Sequence, residues 1–250
     1  MLNKKLFYSI IITLILIIIS YMVLFIFTGD KLKFWVLEDG VFEYATAIWF
    51  LLASILFILL YVRSHTGNNF FILKTKKNIF YLLLGMLFFF GCGEEISWGQ
   101  RLLNIDPPEK LKEINAQKEI TLHNLYFFSD EMDEYGNKKK TITSLFALSR
   151  LYVFFWFLYC ILIPIFNKAS IKFSNFLKTL NLPIVPLGLG VLFLVNYLLS
   201  RVIGIINNSV TTHSIVEIKE ANGAFIFFMI SLYFIYRYLE QSIKPDYNRE

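Results

Sequence analysis

The sequence predicts an all-α, polytopic membrane protein: a six-helix transmembrane bundle with an extracytoplasmic interfacial segment. Three observations carry this. The chain of 250 residues is 56% hydrophobic with 27 Phe, and its mean hydropathy is +0.57, more apolar surface than a soluble domain of this length can hide. Several apolar runs reach the roughly 20 residues that span a bilayer as helix. Laid out as spans, those runs sort the charges by side. The net charge of +5 therefore speaks to membrane sidedness and not to a nucleic-acid partner.

The first run, LFYSIIITLILIIISYMVLFIF, follows Lys4 and Lys5. It is longer than a signal-peptide core and lacks a small-residue cleavage site, so it reads as an uncleaved helix. It is the first of six spans, at about 6–28, 41–62, 78–99, 143–166, 182–206 and 221–240. Pro183 and Pro186 fit the start of the fifth. No repeat or linker divides the chain, so residues 1–250 form a single transmembrane domain. Cys92 and Cys160 fall in opposite halves of the bilayer, which argues against a disulfide.

An even number of spans puts both termini on one side. That side carries Lys4, Lys5, Arg63, Lys74, Lys76, Lys77, Lys168, Lys172, Lys178, Arg237, Lys244 and Arg249, with only Glu240, Asp246 and Glu250 as acids. Short basic loops mark the cytoplasm. The expected localisation is the inner membrane, with both termini cytoplasmic. Glu94 then lies sixteen residues up the third span, roughly 24 Å at 1.5 Å per residue, near the outer edge of the hydrocarbon.

The outer layer collects polar residues from distant segments. Glu38, Asp39 and Glu43 enter the second span. Asp106, Pro107 and Glu109 read as a helix start within the outer segment 100–142, and the surface helix that follows delivers His123 and Asn124. His213, Glu217 and Glu220 fall at i, i+4 and i+7, one helix face. Ser214 and Glu217 match a capping box, a competing use of Glu217. Arg101, Arg150 and Arg201 belong to the same layer; such charges usually face the interior and pair. Glu94, Ser97, Trp98 and Arg101 share one helix face, so a carboxylate–guanidinium cluster is one way to tolerate Glu94 and Glu95.

For Arg150 and Arg201 a purely structural ion-pair network is as good a reading as a functional one. For Glu94 and Glu95 function is favoured, because adjacent like charges raise a carboxyl pKa, as general acid–base work requires. His123 alone reads as an inert interfacial histidine. His and carboxylate ligands together suit zinc or a similar divalent ion, though no HExxH spacing is present. Trp35, Trp49, Trp98 and Trp156 read as interface or packing residues. Asn207-Asn208-Ser209 is a chance glycosylation match, and Lys138–Lys140 a solvated loop. Six spans with an outer site also describe the lipid phosphate phosphatases. Here Ser200-Arg201 lies too far from His213, and no Pro-Ser-Gly-His element exists.

The stretches EDGVFEYATAIWFLLA at 38–53, GEEISWGQRLL at 93–103 and INAQKEITLHNL at 114–125 resemble a bacterial family of multi-pass membrane proteins that carries no established activity. The resemblance covers roughly the first half of the chain. A looser likeness to the alkaline ceramidase and adiponectin-receptor superfamily implies a membrane hydrolase. That superfamily has seven helices and a zinc site of three histidines with a serine and an aspartate, where this chain offers six helices and two suitable histidines.

Three functions compete. The first is a membrane-embedded hydrolase or transferase acting on a lipid or lipid-linked substrate at the outer leaflet. There, a metal on His123, His213 and Glu217 activates water, and Glu94 or Glu95 is the catalytic base with His123 beside it. Arg101, Arg150 and Arg201 hold an anionic head group, with Gln100, Asn124 and Glu43 as further substrate contacts. The second is a small transporter or scramblase, which a polar track across the whole bilayer would favour. The third is a non-enzymatic subunit of an envelope assembly, whose protein partners the sequence does not name. The geometric expectation is that Glu94, Glu95, His123, His213 and Glu217 surround one cavity, with 119–128 folded back over the bundle mouth.

Overall fold

The computed structural model describes residues 2–37, 39–70, 73–128, 145–207 and 211–243. The expectations placed on Glu38, Lys138–Lys140, Asn208-Ser209, Lys244, Asp246, Arg249 and Glu250 lie outside them. Among the described residues the regular structure is helical apart from two two-residue strands, which pair Asn69 with Lys74 and Phe70 with Leu73.

The helices are α1 (Leu2–Ile26), α2 (Gly29–Val36), α3 (Val41–Arg63), α4 (Ile79–Glu95), α5 (Gln100–Leu103), α6 (Glu109–Ile114), α7 (Leu148–Ala169), α8 (Ile171–Leu180), α9 (Leu187–Ile206) and α10 (Thr212–Ile243). Among the described residues five helical stretches are long and apolar enough to cross a membrane. A sixth is counted if Ile79–Glu95 and Ser97–Leu103 form one span across their 65° bend.

α10 is the axis of the bundle. It packs on α3, α9 and α1, while α4 packs on α3 and α7 packs on α9. Phe227 of α10 is fully buried and gathers the rings of Phe88 and Phe193, each 4.7 Å away, with Phe155 at 5.8 Å and Tyr152 at 6.1 Å. In lipid such packing, and close backbone approach at small residues, hold helices together in place of the hydrophobic effect. Gly190 shows this: a methyl group there would overlap the carbonyl oxygen of Cys160. That carbonyl lies in a π turn, Phe157–Leu162, that interrupts α7.

A buried polar clamp joins α1, α9 and α10. Asn222 Nδ2 donates to Ser20 Oγ (2.8 Å) and Asn196 Oδ1 (3.2 Å), and Tyr21 Oη donates to Asn196 Oδ1 (2.9 Å). At the end that carries Arg63, Lys74 and Lys178, side-chain amides tie the loops. Asn68 Nδ2 donates to the Leu180 carbonyl (2.6 Å) and Asn78 Nδ2 to that of Asn181 (2.7 Å).

Several boundaries differ from the sequence reading. The fifth span begins at Leu187, not 182, because Pro186 caps the helix in extended geometry and the residues before a proline disfavour helix. The sixth begins at Thr212, nine residues early, because Glu217, Lys219 and Glu220 mask its first turns in a hydropathy pattern. Its cap is Thr211, whose Oγ1 accepts from the Ser214 amide at 3.3 Å, so the Ser214–Glu217 capping box does not form. The surface helix is only Glu109–Ile114, with Pro108 as its cap and no side-chain cap from Asp106. α2 and α8, polar enough to look like loop, were not expected at all.

The third span ends at Glu95. Ser97 (φ 47), Trp98 (φ 53) and Gly99 (φ 80) then take left-handed backbone in succession, at a cost of roughly 1–2 kcal/mol for each non-glycine residue. The common helix face expected for Glu94, Ser97, Trp98 and Arg101 is therefore absent. Cys92 and Cys160 are buried and unpaired by disulfide.

Candidate active site

Why does the chain turn back so sharply after Glu95? The bonds made by Glu94 answer this. Its carboxylate is nearly buried and accepts from Trp98 Nε1 (2.7 Å), the Leu122 amide (2.7 Å) and the His123 amide (2.9 Å), with His123 Nδ1 at 3.1 Å. One side chain thus anchors both the reversal and the returning segment.

That segment, residues 115–128, is a cap laid on the end of α4. Asn115 organises it: Oδ1 accepts from the Gln117 amide (3.0 Å) and the Glu119 amide (3.3 Å), and Nδ2 donates to the Thr121 carbonyl (2.9 Å). A bridge pairs Asn115 with Leu125. Gln100 Oε1 accepts from the Ile120 amide at 2.6 Å. Asn124 Nδ2 donates to Gln117 Oε1 and, at 3.4 Å, to Glu119 Oε2. The far end of the cap meets α7, where the Leu148 amide donates to the Phe128 carbonyl (3.3 Å). Gln100 and Asn124, expected to touch substrate, instead hold protein to protein.

Arg101 is the second anchor. Its guanidinium pairs with Glu43, with Asp39 (3.3 Å) and with Glu119 (3.7 Å), and donates to the Glu95 carbonyl oxygen (3.2 Å). Glu119 also accepts from Ser97 Oγ at 2.9 Å. Arg101 and Glu43 therefore lock α3 to the cap, and the side chains of Glu94 and Glu95 are not their partners. Arg150 and Arg201 are exposed; neither faces the interior as expected. Arg201 donates to Tyr197 Oη at 3.0 Å and lies over that ring.

The histidines serve two different carboxylates. His123 Nδ1 meets Glu94, and His213 Nδ1 lies 3.4 Å from Glu217. Among the described residues no three His, Cys, Asp or Glu side chains come together as a group that could hold a metal ion. The expected set His123, His213 and Glu217 is therefore not brought together as such a group among the described residues.

Glu95 is the exception among these acids. Its side chain makes no hydrogen bond or ion pair with any described residue, and the charges acting on it are those of Glu220, Glu217, Glu43 and Glu94, all acids. Glu220 in turn lies in the field of Lys219, His123 and His213. Clustered carboxylates of this kind share protons or hold a cation. One more group borders them. The Tyr152 hydroxyl is buried without a hydrogen-bond partner, feels the charges of Glu220 and Glu95, and rests where a methyl on Gly223 would be. Glu220, Gly223 and Phe227 share one face of α10 at i, i+3 and i+7. The sequence gives that spacing, but Arg150, two residues from Tyr152, is the louder signal on α7. Comparison with known protein families, characterised proteins and solved structures found no match.

Proposed function

We propose that this is an integral membrane enzyme, a hydrolase or transferase acting on a lipid or lipid-linked substrate, with Glu95 as its general base. The observation that carries the reading is the Glu95 carboxylate, unpaired among the described residues at the mouth of a bundle in which Asp39, Glu43, Glu94, Glu119 and Glu217 each have a basic or cap partner. A structural ion-pair network has no use for such a group. A pair of carboxyls of which one is protonated supplies both halves of acid–base chemistry. The pair holds one proton: its ionised carboxyl takes the proton of an attacking water or acceptor hydroxyl, and its protonated one gives a proton to the leaving oxygen. The cap pinned by Glu94 and Arg101 limits water at the site.

Sidedness follows from charge. Lys74, Lys76, Lys77, Lys168, Lys172 and Lys178 gather at the end opposite Glu95, which favours that end and both termini in the cytoplasm and the site at the outer leaflet of the inner membrane. Below the acids, Phe57, Phe88, Phe193 and Phe227 pack ring on ring. A dry aromatic layer under the polar one favours chemistry at a surface over passage through the bilayer.

The test is Glu95→Gln and Glu220→Gln in proteoliposomes made from the host's total lipid extract, with lipid species followed by mass spectrometry. Wild type depletes a lipid class. Glu95→Gln is expected to slow that by about 10²–10⁴-fold, the usual worth of a general base. Full turnover by Glu95→Gln would overturn the proposal.

A further inference from the structure

An apolar groove opens sideways between α4 and α7. It holds about 270 Å³ and is lined by Phe80, Leu83, Leu84 and Leu87 of α4 with Phe155, Leu158, Tyr159 and Ile163 of α7, and by Leu182. This is just below the ~300–1,000 Å³ usual for small-ligand sites. The two helices diverge here because α4 leans on α3 and α7 on α9. Leu158 and Tyr159 of this lining belong to the π turn of α7, and Tyr159 donates to the Pro183 carbonyl at 2.9 Å. π turns recur at functional sites.

Both walls lead upward to the acids. On α4, Leu84 and Leu87 are eleven and eight residues below Glu95, three and about two turns along one face; Leu87 to Glu95 is about 12 Å at 1.5 Å per residue. On α7, Phe155 lies one turn below Tyr152, and both rings pack on Phe227. The groove itself is lined by apolar side chains; above its upper end, beyond that lining, lie the buried Tyr152 hydroxyl, a donor without a partner among the described residues, and the Glu95 carboxyl, an acceptor. No arginine or lysine lines the groove among the described residues, and the Arg101 guanidinium is paired with Asp39, Glu43 and Glu119.

We infer that the ligand is a membrane lipid with an uncharged hydroxyl-bearing head, its tail lying in the α4–α7 groove and its hydroxyl between Tyr152 and Glu95. This rests on the reading of Glu95 as the reactive base and adds the substrate class and the entry path. An anionic phosphate head is disfavoured by Glu95, Glu217 and Glu220 together, and the groove is open to the bilayer, so a tail enters without crossing water.

The test uses the full chain in phosphatidylcholine vesicles with a diacylglycerol carrying a diazirine in one acyl chain, and maps the labelled peptides. Labelling of 80–87 and 155–163 is expected to exceed that of the lipid-facing residues Ile12, Ile15 and Ile19 of α1. It should saturate, and yield to unlabelled diacylglycerol but not to phosphatidic acid. Leu87→Trp and Leu158→Trp, both on the rim, should each bring it down to the α1 level. Tyr152→Phe, which keeps the ring on Phe227, should weaken half-saturation roughly two- to tenfold, the worth of one neutral hydrogen bond. Groove labelling no stronger than on α1, or equal competition by phosphatidic acid, would overturn the inference. Labelling is read without turnover, so a groove that fails while Glu95→Gln is inactive leaves the base in place. A groove that labels while Glu95→Gln is fully active removes the base and keeps a lipid-binding site.

Discussion

Replacing Glu94 tests whether this residue is an anchor or a catalyst. Glu94→Ala removes an acceptor from the Trp98 indole, the Leu122 and His123 amides and the His123 ring. A hydrogen bond to a charged group contributes about 1.5–3 kcal/mol. The four do not add, because Leu122 and His123 are exposed enough for water to replace part of the loss. A local cost of about 3 kcal/mol is a reasonable sum. At 1.36 kcal/mol per tenfold that opens the cap on the order of 10² more often. Hydrogen exchange at the Leu122 and His123 amides reads this directly, since exchange follows local opening. Glu94→Gln keeps one oxygen and can satisfy the indole or the cap amides but not both, so about tenfold faster exchange is expected, half the free energy. Glu95→Gln should leave both amides unchanged, because Glu95 does not bond the cap. If Glu94→Ala exchanges within about threefold of wild type while the helices stay folded, the anchor role is wrong and Glu94 returns to the list of candidate bases.

Arg101→Lys keeps the charge and loses the fork that reaches Asp39, Glu43 and Glu119 together; a loss of about 1–2 kcal/mol is expected in denaturant unfolding of the detergent-solubilised protein. Arg101→Met should cost more, because three acids then face one another. Gly190→Ala drives a methyl into the Cys160 carbonyl and should cost about 1–3 kcal/mol by overpacking. Gly204→Ala, whose nearest neighbour would be Ile215 at an ordinary 3.6 Å, should leave thermal unfolding in place.

Much of the bundle was legible because long apolar runs have few alternatives. The runs behind α1, α3 and α4 were placed within a few residues, and the expectation of a helix carrying His213, Glu217 and Glu220 on one face matches α10. What the sequence hid was whatever breaks periodicity locally. Ser97 and Trp98 carry no glycine signal for left-handed backbone, so the reversal after Glu95 could not be read from residue type. It exists because Glu94 gains four bonds by it. α8, Ile171–Leu180, hides in a basic stretch where Lys172 and Lys178 lower the hydropathy. The arginines misled for a related reason. A charge inside an apolar run suggests an interior partner, yet a long side chain near a helix end can lie along the surface instead, as Arg201 does over Tyr197.

The division of labour between Glu94 and Glu95 follows from helix geometry alone. Successive side chains on a helix point about 100° apart, so two adjacent acids at a helix end cannot serve one partner. Glu94 points outward to the returning chain, where backbone amides and an indole satisfy it. Glu95, about 100° further round the helix, makes no bond with the cap, and the charges acting on it are those of Glu220, Glu217, Glu43 and Glu94. A pair of adjacent carboxylates at a bundle mouth is thus best read as one fastening and one reactive group, told apart by which of them the fold has already satisfied.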